Sequence, residues 1–325
     1  MSLSLLQYAD AAGQRGVAAL RDDGGARVVR DARSVLALAQ RALREGCTLA
    51  QLAADADTPI DLARVRVLAP IDHPDPAHLL LTGTGLTHLG SATGRDKMHR
   101  AEAAGEQLTD SMKMFLMGVK EGKPAVPGTG VQPEWFYKGD GSCLVAPGAE
   151  LPAPDFALDA GEEPEIAGIY LIADDGQPLR LGYALANEFS DHVTERHNYL
   201  WLAHSKLRPA ALGPELLLGE LPANVEGMSR VLRAGQVIWE KPFLTGEANM
   251  SHSLANLEHH HFKYALFRRP GDLHVHFFGT ATLSFVDEVR TREGDEFEIS
   301  ARPFHLPLRN RIARRPSPAP VVRAL

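Results

Sequence analysis

The stretch EEPEIAGIYLIADDGQPLRLGYALANE, residues 162–188, constrains this chain more than any other. The step Asp175-Gly176 lies between two apolar runs, Ile166 to Ile172 and Leu179 to Ala186. An Asp-Gly pair flanked in this way is the strongest short-range signal for a β-hairpin. A tight turn that pairs 175 with 176 also sets Glu163 opposite Glu188. Side chains two apart on a strand share a face, so Glu163 and Glu165 project together with their Cβ atoms roughly 7 Å apart. Three carboxylates therefore converge at one end of an apolar hairpin. As bare charges they are costly, because each partly buried group loses hydration and raises the proton affinity of the others. A hard divalent cation resolves the conflict. Carboxylate oxygens suit Mg²⁺ or Mn²⁺, ahead of Ca²⁺, and disfavour thiolate-preferring metals. The competing reading is a solvated acidic hairpin end, and spacing alone leaves both open.

The chain has 325 residues, enough for one large domain or two with a substantial core. Its net charge of -7, with no basic stripe, argues against nucleic-acid binding. Only two cysteines are present, Cys47 and Cys143, so neither a disulfide framework nor a cysteine-rich zinc site is available and a reducing cytoplasm fits. The start MSLSLLQYADAAGQ lacks a basic leader, and no segment approaches the ~20 apolar residues of a membrane span. The expectation is a cytoplasmic protein with no membrane partner.

Residues Leu3 to Tyr8 and Val17 to Leu20 read as a hairpin, followed by an amphipathic helix from Ala32 to Arg44 that stops at Gly46. Thr48 and Gln51 have capping-box spacing, which predicts a second helix through TLAQLAADA with Cys47 as a core residue of the linker. The proline-bearing stretch Ala69 to Pro76 marks a boundary, giving a small α+β domain over 1–72 and a second domain over 73–325. The second domain is rich in predicted strands: Leu79 to Thr82, Trp135 to Tyr137, Ile166 to Ile172, Leu179 to Ala186, Gln236 to Glu240, Leu273 to Phe278 and Phe297 to Ala301. Helices are expected at Arg95 to Glu106, Asp110 to Val119 and Asn249 to Phe262. This order predicts an α+β fold rather than alternating βαβ units. The basic, proline-rich tail RNRIARRPSPAPVVRAL is expected to be flexible or to drape over a partner subunit.

With these residues in view, the chain resembles the fumarylacetoacetase superfamily. The pair Glu163-Pro164-Glu165 matches that family's E-x-E, and Gly182 through Asp191 follows its GY-T-x-x-ND-x-SARD segment. Lys206 in SKLRPAALGP is similar to the family lysine, with Gly213-Pro214 behind it, and Phe136-Tyr137-Lys138 to an aromatic-x-lysine element near the pocket. Pro270-Gly271-Asp272 through Phe278-Gly279-Thr280-Ala281-Thr282 resembles PGD-x-x-x-TGTP, and Gly294 to Ile299 resembles the late GD-x-V-E-V-E strand. The matches run in order over residues 80–312. Two departures stand out. Glu188 replaces the usual aspartate ligand, and Ser91 stands where the family's lid histidine would be in Gly85-Leu86-Thr87-His88-Leu89-Gly90-Ser91-Ala92.

The resemblance implies a sheet-rich fumarylacetoacetase-like core, a mixed β-sandwich or roll, and a homodimer. It also implies a 2-oxo acid chelating a cation held by Glu163, Glu165 and Glu188, so that charge developing on the keto oxygen is stabilised. It marks Lys206 as a catalytic residue whose proton affinity the cation should lower, and Lys138, Asn187, Ser190 and Thr280 as substrate-binding. His88 and His99 are the candidates for the missing acid/base, His88 in a glycine-rich lid and His99 on the Arg95 to Glu106 helix. Ser91 weighs against a C–C hydrolase of acylpyruvate type. It favours a hydro-lyase that dehydrates a 2-keto-3-deoxy sugar acid of the L-arabinonate type, the branch associated with pentose operons and arabinose catabolism. A non-catalytic sugar-acid-binding protein is the reading from outside enzymology. His259-His260-His261 with His274 and His276 offer an imidazole zinc site as a further alternative, although consecutive helical histidines point apart. The run TGTGLTHLG lacks the lysine-serine ending of a phosphate loop and reads as a flexible lid.

Overall fold

The computed structural model describes residues 2–22, 24–90 and 109–325. Ser91, His99 and the expected Arg95 to Glu106 helix lie outside the described residues. The first hairpin is present as β1 (Leu3–Ala9) and β2 (Arg15–Arg21), paired from Leu3 with Arg21 to Ala9 with Arg15. The short β3 (Ala26–Val28), β4 (Thr58–Pro59) and β5 (Arg66–Val67) extend it. Its helix Val35–Glu45 starts on the Ser34 side chain and stops at Gly46, whose φ of 65° places it in the left-handed region. The capping box of Thr48 and Gln51 forms, yet its helix spans only Leu49–Leu52. Asp55 and Asp57 would sit against the negative end of a longer helix, and Pro59 follows.

The remaining strands are β6 (Leu79–Gly85), β7 (Glu134–Asp140), β8 (Leu144–Val145), β9 (Glu150–Pro154), β10 (Pro164–Ile172), β11 (Pro178–Asn187), β12 (Ala210–Leu212), β13 (Glu215–Leu217), β14 (Val225–Arg233), β15 (Gln236–Thr245), β16 (Leu273–Phe277), β17 (Glu296–Ala301) and β18 (Leu308–Arg315). Among the described residues they form two sheets. The larger runs β4-β3-β2-β1-β13-β11-β10-β16-β6-β7, and the smaller runs β15-β14-β17-β18-β9. Most pairings are antiparallel, with β16 and β6 parallel, so the sheets are mixed as an α+β fold requires. Because β1 hydrogen-bonds β13, the larger sheet continues across position 72.

Strand β10 is buried along its whole length. Ala167, Ile169 and Leu171 pack on one side into the core that holds Val275 and Phe277, while Ile166 joins a second core with Tyr183, Phe278 and Phe297. The hairpin it makes with β11 is not closed by a two-residue Asp175-Gly176 turn. Ala173 N–H bonds Gln177 O at 2.9 Å, leaving a three-residue loop with Gly176 at φ 80°. Leu181 is then an extra residue in β11, since Tyr170 faces Arg180 and Ile169 faces Gly182. Gly182 is required at this bulge, because a Cβ there would lie 2.2 Å from Leu217 O. Beyond the bulge Pro164 faces Asn187, and Glu188 N–H bonds Glu163 O at 3.1 Å, so the expected pairing of 163 with 188 is present.

Two expectations are corrected here. The first half of the glycine-rich run is not lid but strand: Leu79–Gly85 is β6, paired with β7 and β16, and Leu86 to His88 behind it are buried. The basic tail begins as β18, whose Leu308 and Ile312 are buried; from 316 to 325 no residue is buried. No helix among the described residues is long and apolar enough to cross a membrane.

Candidate metal centre

Glu163, Glu165 and Glu188 are buried, and each offers a carboxylate oxygen within 4.8 Å of the others. Glu165 lies on β10, Glu163 immediately precedes that strand, and Glu188 immediately follows β11. Two buried lysines and a histidine answer this charge. Lys206, at the end of the helix Leu202–Lys206, donates to Glu163 Oε1, to Glu188 Oε2 at 2.6 Å and to Ser190 Oγ at 3.2 Å. Lys138, from the inward face of β7, donates to Glu188 Oε1 and Phe189 O at 2.5 Å each and to Lys206 O at 3.1 Å. His192 Nε2 lies 3.1 Å from Glu163 Oε1. The Phe136 ring lies beneath Lys206, 5.0 Å from Nζ, and packs where a Cβ on Gly83 would be.

Two oxygens of the triad are left over. Glu165 Oε2 accepts from Gly279 N–H at 2.7 Å, but Glu165 Oε1 is buried with no hydrogen-bond partner. Glu163 Oε1 takes both Lys206 and His192, while no hydrogen bond reaches Oε2 among the described residues. A buried, unpaired carboxylate oxygen costs on the order of 1–3 kcal/mol or more, which a cation at that point recovers. All-oxygen donors at this spacing fit a hard divalent ion.

The proton affinities follow the geometry. Glu165 is held well above the usual carboxylate range by burial and by Glu163 and Glu188. Burial and Glu163 raise Glu188 as well, against Lys138 and Lys206. Glu163 goes the other way: burial opposes ionisation, but Lys206 and His192 outweigh it. Without a cation Lys206 is raised, because Glu163 and Glu188 overcome its burial; the expected lowering concerns the ion-bound state. Burial and Lys206 lower Lys138 against the pull of Glu188, though all three of its protons meet acceptors.

The other expected residues fall around this centre. Ser190 Oγ bonds Glu188 and Lys206, so it braces the ligands. Asn187 Oδ1 accepts from Glu163 N–H at 3.2 Å, and its buried Nδ2 has no partner. Thr280 follows Gly279, and its Oγ1 accepts from Thr282 N–H at 3.2 Å. His88 is buried against Thr245 Oγ1 at 2.8 Å and Thr87 Oγ1 at 3.1 Å, and burial drops its pKa to about 3, so it is neutral at physiological pH. His261 Nε2 meets His274 Nδ1 at 3.0 Å, one imidazole bonding another, and His260 Nε2 meets Gly130 O. Among the described residues the glutamate triad is the one group placed to hold an ion, so the imidazole zinc site is overturned.

Sequence reasoning missed Asp159, Glu162, His192 and Glu134. Asp159 Oδ2 lies 3.1 Å from His192 Nδ1. Glu162 accepts from Ser284 N–H and Oγ, and burial pushes its pKa up to about 7. Glu134 is buried on the same face of β7 as Phe136 and Lys138 and accepts from Tyr199 Oη. None has its partner at a regular spacing in sequence, which hides such contacts until the fold is known.

No protein-family model and no curated protein matches the sequence. Solved structures do. An apo 2-keto-3-deoxy-D-arabinonate dehydratase is similar at TM-score 0.69 and 18% identity, over 96% of this chain and 99% of that one. The dehydratase complexed with magnesium and 2,5-dioxopentanoate gives 0.68 and 18%, over 97% and 100%. A fumarylacetoacetate hydrolase from psychrophilic Exiguobacterium antarcticum gives 0.63 and 16%, over 96% and 100%. The class is therefore a mixed-sheet α+β protein with a buried acidic triad. Its fold is that of the fumarylacetoacetate hydrolases and the 2-keto-3-deoxyarabinonate dehydratase, in agreement with the motifs.

Proposed function

We propose that this chain is a Mg²⁺- or Mn²⁺-dependent hydro-lyase that removes water from a five-carbon 2-keto-3-deoxy sugar acid. One observation carries the proposal: a buried triad in which Glu165 Oε1 has no hydrogen-bond partner, flanked by two buried lysines, on a fold shared with a dehydratase whose structure holds magnesium and 2,5-dioxopentanoate. Glu163, Glu165 and Glu188 would hold the ion, which when bound polarises the 2-oxo group and makes proton loss at C3 easier. Overall a C3 hydrogen and the C4 hydroxyl leave as one water. A proton then moves from C5 to C3 and the resulting C4–C5 enol takes its hydroxyl proton at C4, giving the 2,5-dioxo acid on an unchanged carbon skeleton and with no net change in redox state.

The chain's own groups divide the remaining work. Lys206, which bonds Glu163 and Glu188, would set its ammonium charge beside the forming enolate. Lys138 and Ser190 fix Glu188. Asn187 Nδ2 and Thr280 are the substrate contacts of the proposal. His88 is set aside as acid/base by its burial, leaving His99 and Glu134 as the proton carriers to be substituted.

The test is turnover by purified protein, with Mg²⁺ and with EDTA, on the D and L forms of 2-keto-3-deoxyarabinonate and on acylpyruvates. Metal-dependent release of a 2,5-dioxo acid supports the proposal, and preference for the L form would place the protein in arabinose catabolism. Turnover of acylpyruvates alone would make it a C–C hydrolase, and ligand-dependent stabilisation without product would make it a binding protein. A homodimer belongs to the same proposal and is read from its mass in solution.

A further inference from the structure

The most completely built group beside the triad is the pair Asp159 and His192. The His192 ring is buried with both nitrogens engaged, Nδ1 at 3.1 Å from Asp159 Oδ2 and Nε2 at 3.1 Å from Glu163 Oε1. Its plane is fixed by Phe285, stacked at 5.2 Å and 28°. Room for the ring exists because residue 161 is glycine: a Cβ there would stand 2.3 Å from Nδ1. Glu163 Oε1 thus faces both the His192 ring nitrogen and the Lys206 ammonium, whereas Oε2 has no hydrogen bond among the described residues.

That asymmetry has a coordination consequence. Ca²⁺ takes six to eight oxygens and commonly grips a carboxylate through both, while Mg²⁺ demands a near-octahedral shell of single oxygens about 2.0–2.1 Å away. Turning Glu163 to offer both oxygens would break two charge-assisted bonds at Oε1. We propose that His192, oriented by Asp159, is a positioning residue that holds Glu163 as a single-oxygen ligand and so sets a preference for Mg²⁺ over Ca²⁺. The inference rests on the metal-centre reading above. His192 acts through Glu163, as outer partners that orient a ligand do.

The experiment is calorimetric titration of the full chain with MgCl2 and with CaCl2, for wild type, His192→Leu, His192→Gln and Asp159→Asn. Wild type is expected to bind Mg²⁺ the more tightly. His192→Leu should lose about 10- to 100-fold in Mg²⁺ affinity, with Ca²⁺ affected less, so that the ratio falls by at least about tenfold. His192→Gln, which keeps an N–H for Glu163, should restore most of the ratio, and Asp159→Asn should fall between. A ratio unchanged from wild type in His192→Leu overturns the inference while leaving the metal centre intact. Should His192→Leu not fold, an unchanged ratio in Asp159→Asn overturns it. Wild-type protein that binds neither cation overturns the metal centre and this inference together.

Discussion

Glu165→Gln is the most informative single substitution, because it removes a charge while keeping the shape of the side chain. Glu165 Oε2 already accepts from Gly279 N–H, so the amide oxygen can take that bond and the NH₂ group can face the neighbouring carboxylates. In the metal-free protein Glu165 is held well above its ordinary value of 4.5 by burial and by Glu163 and Glu188. A carboxyl raised in the folded state stabilises the fold fully below its unfolded value and loses that contribution as pH climbs toward the folded one. The loss runs at about 1.4 kcal/mol per pH unit, reaching about 3 kcal/mol at pH 7 if the folded group stays protonated throughout. Coulomb's law gives the same scale: two charges at the triad's outer limit of 4.8 Å repel by about 3.5 kcal/mol at an effective dielectric near 20. Urea unfolding in EDTA should therefore show Glu165→Gln equal to wild type near pH 4.5 and more stable by about 2–3 kcal/mol at pH 7. With Mg²⁺ the order reverses at a thousandfold excess over Kd, where wild type gains about 4.1 kcal/mol and the variant gains little. A variant that is less stable than wild type in EDTA at pH 7 would refute the claim that these carboxylates strain one another.

Binding of the cation should displace a proton from the raised pair Glu165 and Glu188, so Mg²⁺ affinity is expected to rise with pH above about 5. Calorimetry in two buffers of different ionisation enthalpy reads the released proton, and equal apparent enthalpies would contradict it. Lys206→Met removes one partner of a buried charge cluster and should cost about 3–5 kcal/mol of stability. It should also cost on the order of 10³ in kcat on the keto acid that wild type turns over, while retained turnover would remove Lys206 from the chemistry. Truncation after residue 315 should leave the unfolding midpoint where it is, whereas truncation after 307 should give insoluble or unfolded protein, because Leu308, Ile312 and Ala313 belong to the core. A soluble, cooperatively folded chain ending at 307 would contradict the placement of β18.

Much of the site was legible because it is built on one local hairpin, where alternation and a turn signal suffice. The register of Glu163 with Glu188 was read from a two-residue turn that the chain does not make. A three-residue loop and the Leu181 bulge offset one another, so the far end of the hairpin falls where the simpler turn would have put it. The N-terminal hairpin and the Gly46 stop were equally local. Strand β14 was missed because Gly227, Ser229 and Arg230 blur its alternation, and β18 because arginines crowd a strand whose buried residues are only Leu308, Asn310, Ile312 and Ala313. The glycines of TGTGLTHLG suggested mobility, yet Gly83 is small because Phe136 lies against it. His88, by contrast, showed nothing in sequence of the burial that makes it neutral.

The bulge at Leu181 also separates the two ends of the hairpin mechanically. Asp174 and Asp175 at its tip are exposed, and changes of length there are taken up before the pairing reaches Gly182, which Leu217 pins from the neighbouring strand. The tip is therefore a natural place to graft a foreign peptide, a fluorophore attachment point or a surface tether. Such an insertion would give an immobilised or reporting form of the protein with its ion-binding pocket undisturbed.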